Sequence, residues 1–195
     1  MARSVRLRGP FGAAEVVARD GLTAPEVSGP CRSHREGDAL VVEADPGPGG
    51  GSSGGASSIA TSVAAGTGGG LQVTVTVGAQ SPVVVAVPPD TDVSADLSAA
   101  NITVRELAGD VRIDAEAGTV RLEGCQGAGH IRVRTGTVEV SLPPTVGMTV
   151  RADVGTGTVL LPGDRDDDGG QVVFGDGRVP LDVRVEVGSV HVTGP

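Results

Sequence analysis

The sequence has no lysine, no tryptophan and no tyrosine; its 15 basic residues are all arginine, and Phe11 and Phe174 are its only aromatic residues apart from three histidines. Without lysine there is no phosphate-gripping residue for a P-loop, no β3 lysine for a kinase and no amine for Schiff-base chemistry. Without rings there is no platform on which bases or sugars could stack. The 24 acidic residues leave a net charge of −9 and a pI near 4.7, so polyphosphate chains are repelled on average and nucleic acid is not an expected partner. Cys31 and Cys125 are the only thiols, too few for a disulfide framework in a chain this long, which fits a reducing compartment. Arg3, Arg6 and Arg8 near the N-terminus are followed by Gly9-Pro10 and then by Glu15, Arg19 and Asp20, with no apolar stretch of a secretory signal between them. No run approaches 18 apolar residues, and the C-terminal residues carry no lipidation motif. The expectation is a cytoplasmic protein without a membrane span.

What is abundant points to strands. Gly (32) and Pro (13) make up about a quarter of the 195 residues, which excludes a mainly helical chain. Valine outnumbers leucine by 33 to 11, with 4 isoleucines, and valine is stiff at χ1 and suits a pleated strand. The fold class expected is all-β. Residues 46–70 are Gly/Ser/Ala-rich with few large apolar side chains, and are predicted to be a disordered insert. Before it, 1–45 hold short β-type runs (5–8, 14–18 and 40–44) separated by Gly-Pro, Asp-Gly and Gly-Asp breakers, which predicts an N-terminal β meander packing on the rest. After it, 71–195 form the main domain.

That domain repeats. Gly118-Thr119-Val120-Arg121-Leu122, Gly136-Thr137-Val138-Glu139-Val140, Gly157-Thr158-Val159-Leu160-Leu161 and Gly188-Ser189-Val190-His191-Val192 are copies of one strand, and Ala100-Asn101-Ile102-Thr103-Val104 is a degenerate fifth. A partner strand precedes each of the last four, as Val111-Arg112-Ile113, Ile131-Arg132-Val133, Val150-Arg151-Ala152 and Val183-Arg184-Val185. A unit of strand, Gly turn and strand with one apolar face cannot bury itself alone. Stacking copies at this period of about 18–21 residues predicts a single-stranded β-helix, or β-solenoid, right-handed by the usual chirality of strand crossovers.

Together with Val87-Pro88-Pro89, Gly109-Asp110-Val111 and Leu142-Pro143-Pro144, these strand-Gly-[DST]-[IV] units resemble the bacterial putative-adhesin β-helix domain family of unknown function. The resemblance covers roughly residues 71–195, and the first 45 more weakly. It implies the β-helix fold and supplies no catalytic residues.

Candidate sites are few. Asp164-Arg165-Asp166-Asp167-Asp168-Gly169 matches the opening of a calcium loop, with Asp164, Asp166 and Asp168 as oxygen ligands and Gly169 for the bend. Gly175 stands where the bidentate glutamate should be, so a solvated acidic loop leaving the rod between two strands competes with calcium binding. Arg112, Arg132, Arg151 and Arg184 are predicted to stack in line beside Asp114, Arg134, Asp153 and Glu186, either as an anion-binding column or, given the carboxylates, as an interleaved ion-paired face. Thr119, Thr137, Thr158 and Ser189 read as a turn-stabilising stack. Matches to Gly-x-Ser-x-Gly and Gly-x-Gly-x-x-Gly within 49–54 lie in low-complexity sequence and precede no helix. Cys125 and His130 fall near one turn with no third orienting group, and Cys125 reads as a structural thiol. His34 and His191 have no metal-ligand companions and read as surface residues.

The function expected is that of a non-enzymatic structural or protein-interaction module, without cofactor unless the Asp-rich loop takes calcium. Alternatives are a cytosolic polymerising scaffold of bactofilin type, growing through exposed sheet ends, and a polysaccharide-active or polysaccharide-binding β-helix, which the lack of aromatics disfavours.

Overall fold

The computed structural model describes residues 3–9, 12–29, 31–36, 39–44, 61–62, 72–76, 83–97, 100–162 and 169–194. These contain strands and turns and no helix. In chain order the strands are β1 (Arg3–Gly9), β2 (Gly12–Ala18), β3 (Glu26–Ser28), β4 (Cys31–Glu36), β5 (Ala39–Ala44), β6 (Thr61–Ser62), β7 (Gln72–Thr76) and β8 (Val83–Val87). They continue with β9 (Thr91–Leu97), β10 (Ala100–Arg105), β11 (Val111–Glu123), β12 (Gly129–Ser141), β13 (Met148–Leu160), β14 (Gly169–Phe174) and β15 (Val179–Thr193). All join one open, mostly parallel hydrogen-bonded network.

The repeat seen in the sequence is a register in space. Val111 lies beside Gly129, Gly118 beside Gly136 and Val120 beside Val138. Ala100 lies beside Gly118 in the same way. Residues 18 apart are therefore strand neighbours, and the chain returns parallel to itself from β10 to β11 and again from β11 to β12. Each long strand bends at its glycine into two halves, and the inward residues of both halves, such as Ile113 and Val120, belong to one core.

Strict alternation of buried and exposed residues on each half builds columns of aliphatic side chains. One runs Val83, Ala14, Ile102, Val120, Val138, Val190, Val159 across seven parallel strands, and no member is more than 5% exposed. A second runs Val85, Val16, Val104, Leu122, Val140, Val192. Valine suits these columns because its branched side chain is stiff at χ1 and packs well against its neighbours on a pleated surface, and each buried aliphatic contributes roughly 1.5–3 kcal/mol.

The turns carry repeated hydrogen bonds. Asp92 Oδ1 accepts from Asp110 N at 2.9 Å, and 18 residues later Asp110 Oδ1 accepts from Ala128 N at 3.0 Å. Near these turns Leu107 and Cys125, 18 residues apart, are buried at equivalent places, and Leu142 is buried as well.

The stacking order departs from the chain order at both ends. β1 lies between β7 and β9, and β2 between β8 and β10, all parallel. The predicted N-terminal meander over 1–45 is thus corrected: β1 and β2 lie between strands from far along the chain, and among the described residues of this segment only β4 and β5 pair with each other antiparallel. At the other end β15 inserts between β12 and β13, so the glycine stack runs Gly118, Gly136, Gly188, Gly157 rather than in sequence. The step from Gly136 to Gly157 is 21 residues, against 18 from Gly118 to Gly136, and it spans the two strand spacings, about 9–10 Å, between which β15 lies. Of the predicted insert 46–70, only Thr61 and Ser62 lie among the described residues, where they pair with β3.

Candidate functional site

The outward faces of the rungs carry the chemistry the fold presents. On the face formed by the second halves, Arg105 bridges Glu15 at 2.7 Å and Glu123 at 2.8 Å, while Arg121 Nε donates to Glu139 Oε2 at 2.7 Å. Register sets these pairs, since Thr103, Arg121, Glu139, His191 and Leu160 occupy one column on successive rungs. On the face of the first halves Arg184 meets Asp153 at 3.1 Å, and Arg134 lies between Glu116 at 3.6 Å and Glu186 at 3.9 Å. All these groups are substantially solvated, so each pair contributes no more than about 1 kcal/mol. Their effect is to set a pattern of charge on a flat surface.

The four-arginine column does not form. Arg132 is the register neighbour of Arg184, but its other neighbour is Asp114, and Arg184 adjoins Asp153. Arg112 lies beside His130, and Arg151 beside Asp182. Arg112 and Arg132 are 20 residues apart where the register is 18, so the arginines fall into two columns, each interrupted by carboxylates. The result is the interleaved face, and the in-line anion site is corrected. The pairs on the second-half face were missed, although the residue two after each Gly-Thr or Gly-Ser, reading Arg121, Glu139 and His191, held the signal.

Two shallow grooves cross these faces. One, of about 160 Å³, is lined by Asp96, Asp114, Glu116, Arg132, Arg134 and Glu186 among others. The other, of about 200 Å³, lies over Arg121, Glu139, Ser141, His191 and Thr193. Both are open and ion-lined.

Asp164, Asp166 and Asp168 lie outside the described residues. Among the described residues no group of three or more His, Cys, Asp or Glu side chains is arranged to hold a metal ion. No described helix is long and apolar enough to cross a membrane. The predicted hydroxyl stack is present, with Thr119, Thr137, Ser189 and Thr158 in register and Thr137 Oγ1 within 3.3 Å of Ser189 Oγ.

Cys125 is a free, buried thiol. Its Sγ donates to the Val104 carbonyl at 3.7 Å, and burial pushes its pKa up to about 11. It lies 18 residues after the buried Leu107, at the corresponding place one strand on, while His130 is exposed. This is a packing thiol. A Cys31→Ser protein should therefore resist alkylation while folded at pH 8 and react on unfolding; rapid labelling of native protein would contradict the burial. Because the raised pKa makes the folded state hold its proton longer, stability contributed by Cys125 is full below about pH 9 and falls as pH rises to about 11, by up to about 2–3 kcal/mol. The chain has neither Lys nor Tyr to titrate in that window, so Cys125→Ala should remove most of the slope.

No family model matches the chain, and no curated protein matches it. Among solved structures it is similar to one described as "a putative cell adhesion protein" from Clostridium sporogenes, with a TM-score of 0.57 and 13% identity, covering 100% of this chain and 94% of that one. At that identity the likeness is one of fold.

Proposed function

We propose that the chain is a β-solenoid interaction module of adhesin-like type, without catalytic activity, that binds a protein partner through its patterned rung faces. The 18-residue return of the chain onto its own neighbour supports the solenoid, and right-handed winding follows the usual chirality of crossovers. The observation that carries the functional reading is the column of Arg121, Glu139 and His191 flanked by Glu15, Arg105 and Glu123. It is a rigid, flat, charge-patterned surface held in strand register, of the kind that gives specificity and orientation to a protein contact. The structural neighbour's description as an adhesion protein is in keeping with such a role. A reducing, cytoplasmic setting belongs to the same proposal and rests on the sparse cysteines.

The test is crosslinking of the folded protein to partners in its source cells, comparing wild type with an Arg105→Glu, Arg121→Glu double variant. Loss of a specific crosslinked species, with an unchanged melting temperature, is the expected result. Capture unaffected by reversal of both charges would place the contact elsewhere.

A further inference from the structure

The two ends of the stack are finished differently. At the β7/β8 end, β5 and β3 add further strands to both halves of the rung, and β4 and β6 add to those. At the other end β14 runs antiparallel along Met148–Asp153 of β13. From Val154 to Leu160, β13 pairs with β15 on its inner side, and among the described residues nothing pairs with its outer side.

This half-edge is unlike the rungs behind it. Sheet edges are ordinarily guarded by charge, bulges or proline, yet 154–160 reads Val-Gly-Thr-Gly-Thr-Val-Leu with none of these. In the column where earlier rungs hold Arg121, Glu139 and His191, the edge rung holds Leu160, which is 51% exposed. The other exposed large aliphatics, Val187 and Val173, lie on the adjoining strands β15 and β14, and Val187 is the register neighbour of Thr156. Apolar surface and free backbone groups therefore coincide at one end.

We propose that Val154–Leu160 is a self-association surface, at which two copies pair edge to edge, antiparallel about a two-fold axis, and close a dimer. A second copy fits better than a partner of other chemistry for two reasons. The edge offers no charge for an acidic or basic partner to recognise, whereas a neutral strand laid against itself meets no like charge, even in a chain of net charge −9. An isologous contact needs only one edge on each copy, and of the edges that the described residues leave unpaired, on β4, β6, β14 and Val154–Leu160, this is the one that ends the seven-strand aliphatic column and carries the exposed Leu160. Pairing centred on Val159 engages the second half of this edge alone, setting Gly157 opposite Leu161, Leu160 opposite Thr158 on the outer face and Val159 opposite its own mate on the inner face. The seven-strand aliphatic column then continues into the second copy without a break. The contact goes beyond the proposed partner-binding face and does not depend on it.

Sedimentation velocity of the full chain over a concentration series tests this, with Leu160→Lys and Thr158→Lys as variants whose side chains point outward. Wild type should pass from monomer to dimer and no further, and raised salt should tighten the dimer by screening two acidic copies. Each variant should weaken the dimer by at least about tenfold while melting at the wild-type temperature, and if one variant misfolds the other decides. Amide exchange over 155–160 should slow as concentration rises. A wild type that stays monomeric at its highest soluble concentration overturns the proposal. So do oligomers that keep growing, a dimer untouched by both lysines, and amides equally protected at every dilution, the last meaning that the edge is satisfied within the chain.

Discussion

Replacing Gly136 with alanine should lower stability by at least about 3–4 kcal/mol, which for a chain of this size is on the order of 10 °C in melting temperature. Gly136 bends β12 at φ +150°, a region side chains rarely adopt, and a Cβ there would lie 1.8 Å from the Gly118 carbonyl oxygen. Relief is blocked on the other side as well, because a Cβ on Gly188 would meet the Gly136 oxygen at 1.8 Å. Neither neighbour is a flexible side chain, so the methyl must force the rungs apart and break ladder hydrogen bonds on both sides. Gly21 supplies the control. It also has positive φ, +81°, but nothing lies within 4 Å of its would-be Cβ, so Gly21→Ala should show backbone strain alone, about 1–2 kcal/mol. Equal melting temperatures for the two variants would mean that the glycine corners do not approach as closely as described.

Val138→Asp should abolish the cooperative unfolding transition, or cost more than about 4–5 kcal/mol if any folded protein remains. Val138 is fully buried between Val120 and Val190 in the long column. A carboxylate there has aliphatic neighbours above and below, and so no partner for its charge. The adjacent residue gives the contrast: Glu139 points outward to Arg121, and Glu139→Gln should change stability by less than about 1 kcal/mol. Urea titrations of the pair separate the inward and outward positions within a single peptide unit, and similar midpoints would contradict the strand assignment.

Much of this was legible because one short pattern serves several physical needs. Gly-Thr-Val places the corner, the hydroxyl stack and the core residue in order, so the alignment of Gly118, Gly136 and Gly188 follows from the repeat itself. The packing role of Cys125 was legible from its turn and the lack of chemical companions. The order of strands was not, because alternation decides which way Val190 faces but not whether it stacks beyond Val159 or between Val138 and Val159; every position offers the same aliphatic surface. The arginine column fails for a different reason: Arg112 and Arg132 are 20 residues apart, two more than the 18-residue register that aligns Gly118 with Gly136. Gly9-Pro10 reads as a breaker between hairpin strands, whereas β1 and β2 do not pair with each other but lie parallel to β9 and β10. Their true neighbours, β9 and β10, lie far along the chain, beyond the reach of any local signal.

The tucked-in rungs bear on how the molecule is made. A nascent chain leaving the ribosome delivers Arg3–Ala18 first, yet the register partners of these strands, Thr91–Leu97 and Ala100–Arg105, are synthesised much later. Val179–Thr193 is made after β12 and β13, yet takes its place between them. The sheet therefore cannot be assembled strand by strand in the order of synthesis: β1 and β2 have to wait for β9 and β10, and β12 and β13 cannot reach their final spacing before β15 is made.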